Sequence, residues 1–166
     1  MQSKSDTIEK AYKLYSEELY LYAFSLTKDA AWAQDLVSDT FYKALLSYDT
    51  NNNQNFKHWL FFVLKNIFID DYRKRKRLMQ FDEKHMVVYC SENGMINQMI
   101  KSEEAKRLYD GLLKLEPPLY REIIYLFYFQ DLKISQIAKQ LSLSQSKVKV
   151  ILHRARLKLK VDLKGE

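Results

Sequence analysis

Glycine and proline are almost absent from this sequence, and this limits the folds it can adopt more than any other feature. The 166 residues include only 3 Gly and 2 Pro, whereas average usage is roughly 7% and 5%. Tight turns depend on both residues, because Gly adopts positive φ angles and Pro fixes φ near −65°. The composition therefore disfavours a turn-rich β-sandwich or barrel and a Gly-rich nucleotide-binding loop. It predicts an all-α chain.

Hydrophobic periodicity divides the chain into two small helical domains joined by a flexible linker. Apolar residues recur at three- and four-residue spacing on both sides of a stretch that lacks periodicity. We expect the first domain at residues 1–78, the linker at 79–98 and the second domain at 99–166. The seven predicted helices begin at the capping box Asp6–Glu9 and then cover residues 29–47, 56–77, 99–115, 119–129, 134–141 and 144–160.

Several classes of protein are disfavoured by what the sequence lacks. The single cysteine, Cys90, excludes an internal disulfide and a multi-cysteine zinc site. No charge-free apolar run approaches the roughly 20 residues of a membrane span, and the first ten residues contain no apolar signal core. We therefore expect a soluble cytoplasmic protein that does not insert into membranes.

Positive charge is concentrated in two blocks. The chain carries a net charge of +6, but residues 1–71 have 7 Lys/Arg against 10 Asp/Glu, a net charge of −3. Residues 72–80 and 144–166 each carry a net charge of +5. Two solvated helix ends would explain this pattern, since cations suit helix C-termini. Two contacts to one polyanion would explain it equally well.

The second basic block overlaps a helix-turn-helix pattern. Small and apolar residues fall where two crossing helices need them, at Ile137, Ala138, Leu141, Leu143, Val148 and Ile151. Ser144 is a good N-cap for the second helix, although Ser142 occupies the turn position where Gly is usual. The first exposed turns of that helix carry polar groups suited to bases and phosphates: Gln145, Ser146, Lys147 and Lys149. An ordinary helical hairpin would share the apolar spacing, and the basic residues from Lys147 to Lys160, including Arg154, favour DNA binding.

The third helix carries a polar face. Asn66, Asp70, Arg73 and Arg77 follow one another at spacings of 4, 3 and 4, and Trp59 begins the same face. Aromatic and basic residues together suit single-stranded nucleic acid. Taken by itself, however, this helix is explained better by a buried Trp, a basic helix end and surface ion pairs.

Three segments resemble bacterial sigma factors, in the order in which that family has them. Trp32–Ala44 resembles region 2.2, Phe56–Leu60 and Lys65–Arg73 resemble regions 2.3 and 2.4, and Pro118–Arg156 resembles region 4. No other sigma domain is present, so the resemblance is to the compact extracytoplasmic-function group. It implies a protein with no catalytic residues, cofactor or metal, which binds core RNA polymerase and directs it to promoters.

The resemblance also implies roles for individual residues. The first domain would dock on the β′ clamp helices through Asp35, Leu36, Asp39 and Phe41. The resemblance and the polar face of the third helix together predict contacts with −10 DNA at Asn66, Asp70, Arg73, Arg77 and Trp59. The resemblance also implies that the loop containing Asn53 cups a flipped base. The second domain would touch the β flap and read the −35 element through Ser144, Gln145, Ser146, Lys147, Lys149 and Arg154. An anti-sigma factor is a further partner that the resemblance admits.

Two alternatives belong to other classes. A free-standing helix-turn-helix repressor needs two-fold symmetry, and no separate dimerisation helix is evident. A nuclease would use Asp70, Asp71 and His58 for a metal. Adjacent acids point about 100° apart on a helix, which disfavours that arrangement.

Overall fold

The computed structural model describes residues 3–49, 55–79 and 94–164, and every regular element in these ranges is a helix. The helices are α1 (Lys4–Thr27), α2 (Ala30–Ser47), α3 (Phe56–Met79), α4 (Gly94–Met99), α5 (Glu103–Leu113), α6 (Pro118–Ile124), a π-helical segment (Tyr125–Phe129), α7 (Ile134–Leu141) and α8 (Gln145–Lys164). In these ranges no helix combines the length and apolar character that crossing a bilayer requires. The chain forms two compact units, Met1–Glu92 and Asn93–Glu166. The all-α prediction is confirmed.

In the N-terminal unit, α1, α2 and α3 pack against one another around a shared core. Its fully buried side chains include Leu19, Tyr22, Leu36, Leu60 and Leu64. Burying one such leucine contributes about 1.5–3 kcal/mol. The core positions α2 and α3, whose outer faces carry the candidate site residues.

Side-chain caps set the helix boundaries of this unit. Ser3 Oγ accepts a hydrogen bond from the Asp6 amide at 3.1 Å, so α1 begins at Lys4. The predicted start at Asp6 was wrong, because the Ser3 hydroxyl caps the helix and Asp6 lies in its first turn. Asp29 Oδ1 accepts from the Trp32 amide at 3.1 Å, which confirms the predicted cap of α2.

Three- and four-residue spacing also predicts burial for three residues of α1 and α2 that the structure leaves exposed. Tyr12 is 52% exposed, Leu14 66% and Leu45 45%. Each falls at the edge of its stripe, where three- and four-residue spacing does not distinguish a buried position from a rim position.

The C-terminal unit begins before the predicted boundary at Met99. Gly94–Met99 is helical and Ile96 is buried. A helix of 6 residues is too short to show amphipathic periodicity, so this segment was predicted to be linker. The predicted single helix 99–115 was also wrong. Ser102 Oγ accepts from the Ala105 amide at 3.3 Å and starts a new helix, α5.

A π-helical segment distinguishes the middle of this unit. The predicted helix 119–129 begins at Pro118 and changes to π-helical geometry from Tyr125 to Phe129. The Gln130 amide donates to the Tyr125 carbonyl at 3.2 Å, a bond across five residues. Before it, the buried Arg121 joins α6 to the end of α5, since its Nη1 donates to the Leu115 carbonyl at 2.9 Å.

Candidate nucleic-acid interface

The polar residues of α3 share one exposed face. Asn66, Asp70, Arg73 and Arg77 are all exposed, and the buried stripe of Leu60, Val63 and Leu64 lies beside them on α3. The buried residues of α3 pack in the core and therefore hold the exposed polar face in a fixed position. The arrangement offers one amide, one carboxylate and two guanidinium groups along about three turns.

Trp59 does not project from this face as an open ring. It is half-buried, and its ring centroid lies 4.9 Å from that of Tyr48 and 6.0 Å from that of Phe56. Tyr48 and Phe56 themselves stack at 4.1 Å. These contacts give Trp59 a packing role, in which the ring ties the start of α3 to the end of α2, and its predicted DNA contact stays a prediction. Phe62, which is 49% exposed, is the aromatic ring left on the outer surface nearby.

The loop before α3 is described only at its end. Asn53 lies outside the described residues, so its predicted contact with a flipped base stays a prediction. Asn55 is described, and its side-chain Oδ1 accepts from the His58 amide at 3.4 Å. The end of the loop therefore caps α3.

One arginine of the first basic block is used inside the N-terminal unit. The guanidinium carbon of Arg75 lies 3.9 Å from the ring centroid of Trp32, and the indole Nε1 of Trp32 donates to Asp71 Oδ2 at 3.3 Å. Arg75 lies on a different side of α3 from Arg73 and Arg77, as the spacing of these residues indicates. The sequence does not show that Trp32 of α2 is the residue it contacts.

The predicted polymerase contacts on α2 divide into exposed and buried residues. Asp35 and Asp39 are exposed. Leu36 is 0% exposed and Phe41 is 6% exposed, with the Phe41 ring 5.0 Å from that of Tyr12. Direct contact through Leu36 and Phe41 is therefore corrected to a supporting role, because these side chains pack in the core beneath the acidic surface.

The acidic surface extends onto α3. Burial raises the pKa of the Asp39 carboxyl, and the nearby charges of Asp71 and Asp35 raise it further. Like charges held together cost stability, and such clusters are typical of sites retained for function. Sequence reasoning missed Asp71 as a member of this surface.

The helix-turn-helix is present with the predicted turn. Ser142 adopts the left-handed conformation, with φ 57° and ψ 44°, and the Leu143 amide donates to the Ala138 carbonyl at 2.9 Å. Ser144 Oγ accepts from the Lys147 amide at 3.1 Å, so the predicted N-cap of α8 is confirmed. Of the six residues expected at the helix crossing, Ile137, Ala138, Val148 and Ile151 are buried, whereas Leu141 and Leu143 are half-buried.

The start of α7 is capped without a hydroxyl side chain. Gln136 Oε1 accepts from the Lys133 amide at 2.9 Å, which is one half of a capping box. A lysine side chain carries no acceptor, so Lys133 cannot supply the other half.

The residues of α8 that are predicted to contact the −35 element lie on its surface. Gln145, Ser146, Lys147, Lys149 and Arg154 are all exposed, as is Ser144. Two later cations of the same helix, Arg156 and Lys158, instead hydrogen-bond to Tyr128 and to the Glu116 carbonyl. The basic run is therefore not one uniform surface.

The acids of the alternative nuclease site have separate surroundings. Asp70 is exposed, whereas Asp71 accepts the indole hydrogen bond of Trp32. Burial, assisted by the charge of Lys57, lowers the pKa of His58. In residues 3–49, 55–79 and 94–164, no three His, Cys, Asp or Glu side chains form a group that could hold a metal ion.

Known proteins match the whole of this arrangement. The family model for Sigma-70 region 2 matches residues 11–78, and that for Sigma-70 region 4 matches residues 107–159. The ECF RNA polymerase sigma factor SigM of Bacillus subtilis is 30% identical over 154 residues, covering 93% of each chain. The RNA polymerase sigma factor YlaC of the same species is 33% identical over 165 residues, covering 95% of this chain and 92% of YlaC.

A solved structure agrees with these matches. The sigma factor RpoE of Bartonella quintana, in complex with the anti-sigma factor NepR, superposes with a TM-score of 0.73 at 26% identity. The match covers 94% of this chain and 96% of the other. The chain therefore belongs to the extracytoplasmic-function group of sigma factors, and it acts with core RNA polymerase in promoter-specific transcription initiation.

Proposed function

We propose that the N-terminal unit recognises and melts the −10 element and that the C-terminal unit reads the −35 element. Residues 1–78 would act as sigma region 2 and residues 99–166 as region 4, and the predicted linker between them is shortened by the helix Gly94–Met99. The main support is the outer face of α3, where Asn66, Asp70, Arg73 and Arg77 are exposed together beside the buried stripe that holds the helix in the unit.

On α3, Asn66 is the group suited to read an unpaired base, because an amide offers a donor and an acceptor at once. Extruding a base costs a few kcal/mol, and only contacts made to the freed base offset that cost. Arg73 and Arg77 follow on the same face and are suited to neighbouring phosphates. Asn53 belongs to the same proposed base-binding site.

On α8, the N-terminal half enters the major groove, as recognition helices do. Gln145 and Ser146 would contact base edges, while Lys147, Lys149 and Arg154 would contact phosphates. The Ser144 cap fixes the N-terminus of this helix, whose backbone amides also favour a phosphate.

On α2, Asp35 and Asp39 form the proposed contact with core polymerase, with the β′ clamp helices as partner and the C-terminal unit touching the β flap. Exposed carboxylates complement a basic partner surface and speed association. Core polymerase would hold both DNA-binding units at one spacing, so that two weak contacts multiply through effective concentration.

No step of this function needs catalysis by the chain itself, and we propose none. RpoE of Bartonella quintana was solved with the anti-sigma factor NepR, and an anti-sigma factor is by analogy a candidate regulator here. The protein would act in the cytoplasm, where core polymerase transcribes.

Co-purification followed by run-off transcription tests the proposal. Core polymerase should retain the chain on a column and then start transcripts at discrete genomic fragments. A variant combining Asp35→Arg with Asp39→Arg should lose retention while keeping its helical circular dichroism. Unchanged retention of that variant would contradict the assignment of α2, and the absence of discrete transcripts would contradict the function.

A further inference from the structure

Arg156 and Arg154 lie two residues apart on α8 but have different surroundings. Arg156 Nε donates to the Tyr128 hydroxyl at 2.6 Å. Its guanidinium carbon also lies 5.0 Å from the ring centroid of Phe127 and 5.5 Å from that of Tyr128. Both side chains are exposed, but Arg154 lies 200° around the helix from Arg156 and its ring contacts. Arg154 and Arg156 therefore carry the same charge but have different surroundings on α8.

The π-helical segment explains how two successive rings reach one guanidinium. The bond from the Gln130 amide to the Tyr125 carbonyl spans five residues and inserts one extra residue into the turn. Phe127 and Tyr128 then meet edge to face, with ring centroids 5.0 Å apart. Such π insertions are rare and occur frequently at functional sites.

Lys158 provides a second attachment in the same half of α8. Its Nζ donates to the Glu116 carbonyl at 2.6 Å and lies 5.6 Å from the ring centroid of Tyr120. Arg156 and Lys158 thus hold α8 at two places, one on the π segment and one at the start of α6. Ala155, just before Arg156, and Leu159, just after Lys158, are buried.

We infer that Arg156 is a positioning residue for −35 recognition, which with Phe127 and Tyr128 fixes the rotation of α8 and makes no phosphate contact. This rests on the proposed function, since it concerns how the same helix reads DNA. A planar guanidinium stacks on rings and donates from a fixed edge, which a lysine ammonium cannot reproduce. Base-edge hydrogen bonds weaken steeply with misalignment, so loosening α8 should reduce selectivity more than total affinity.

Promoter binding by holoenzyme across a salt series tests this inference, with Arg154→Gln as the matched control for Arg156→Gln. Two promoters would be used, one intact and one with its −35 element replaced. For Arg154→Gln we expect the slope of log K against log salt to fall by about 0.9, the value for one lost phosphate contact. For Arg156→Gln we expect an unchanged slope and a roughly fivefold smaller preference for the intact promoter, as for loss of one charged hydrogen bond with its ring contacts.

Two further variants separate positioning from charge and from folding. Arg156→Lys keeps the charge and should not restore the preference. Tyr128→Phe keeps the ring, removes only the acceptor and should reproduce part of the loss. All measurements would be made at least 15 °C below the melting temperature of each variant, so that loss of folded protein does not contribute.

Several results would overturn the inference. One is a salt slope that falls for Arg156→Gln as it does for Arg154→Gln; another is full rescue by lysine; a third is a preference that stays unchanged in folded Arg156→Gln. If Arg154→Gln and Gln145→Ala also leave binding to both promoters unchanged, the proposed −35 function of α8 fails, and this inference fails with it.

Discussion

Asp35, Asp39 and Asp71 lie near one another where α2 meets α3. Burial, followed by the charges of Asp71 and Asp35, raises the pKa of Asp39. The folded protein therefore binds the Asp39 proton more tightly than the unfolded chain does. By linkage, the free energy of unfolding falls as the pH rises from 3.8, the ordinary pKa of Asp, through the raised pKa of Asp39 in the folded protein. The stability lost over this pH range is not regained at neutral pH. The ionised carboxylate is thus kept at a cost to stability.

Asp39→Asn should remove that cost. We expect the free energy of unfolding at pH 7 to rise by about 0.3 kcal/mol, a small value because the site is exposed to solvent. The gain should vanish below the unfolded pKa, where both forms are neutral. Urea denaturation at pH 7 and pH 3.5 measures this gain, and a destabilised Asp39→Asn at pH 7 would contradict the reasoning.

Competition for core polymerase should show weaker binding for Asp39→Asn and still weaker binding for Asp39→Arg.

Asn66→Ala should impair promoter opening and spare promoter binding. The amide is exposed four residues before Asp70 on the same face, so its removal should leave the fold intact and delete one contact to an extruded base. Permanganate footprinting measures unpaired thymines, and we expect weaker reactivity at unchanged closed-complex affinity. Equal reactivity in variant and wild type, with matching circular dichroism, would rule out the base-binding role.

The spacing of residues along each helix predicts which side chains are exposed. Spacing along α3 and α8 correctly placed Asn66, Arg73 and Gln145 on exposed faces, since periodicity encodes which side of a helix is buried. It did not reveal that Trp59 packs on Tyr48 or that Arg156 meets Tyr128. Those contacts join different elements, and their geometry depends on packing and on a π insertion that no spacing rule indicates.

At the scale of elements, caps and turns decide where the recognition helix begins. Ser142 occupies the left-handed region, which costs a residue with a Cβ about 1–2 kcal/mol relative to Gly. Ser144 then caps α8 with its hydroxyl, a contribution of about 1 kcal/mol. A strained turn followed by a good cap gives α8 a defined first residue, Gln145.

Ser142→Gly should stabilise the C-terminal unit. Relief of the left-handed strain outweighs the added flexibility of the unfolded chain, so we expect a gain of about 0.5–1 kcal/mol. Thermal denaturation followed by circular dichroism measures the change. Ser142→Ala is the control, because it keeps the Cβ and should show no gain. A destabilised glycine variant would mean that the serine hydroxyl contributes more than the strain costs.

Gln145→Ala and Lys147→Ala should affect DNA binding differently. Loss of a base contact at Gln145 should relax selectivity at one −35 position by about 1–3 kcal/mol. Loss of a mobile point charge at Lys147 should weaken all sequences alike and lower the salt slope by about 1. Holoenzyme binding to a panel of −35 variants measures both effects. If neither change alters affinity or selectivity, α8 does not face the DNA.

At the scale of the whole molecule, each unit offers a small proposed DNA-binding surface. In the N-terminal unit it is one face of a single helix, and in the C-terminal unit it is the first half of another. Selectivity should therefore arise only when core polymerase holds both units at the promoter spacing.

Promoter binding with and without core polymerase tests this account most directly. Fluorescence anisotropy would compare a labelled promoter with a scrambled duplex of the same length. We predict that the chain alone binds both duplexes weakly and alike, and that with core polymerase it binds the promoter at least a hundredfold more tightly than the scrambled duplex, about 2.7 kcal/mol. Tight, sequence-specific binding by the chain alone would contradict the account.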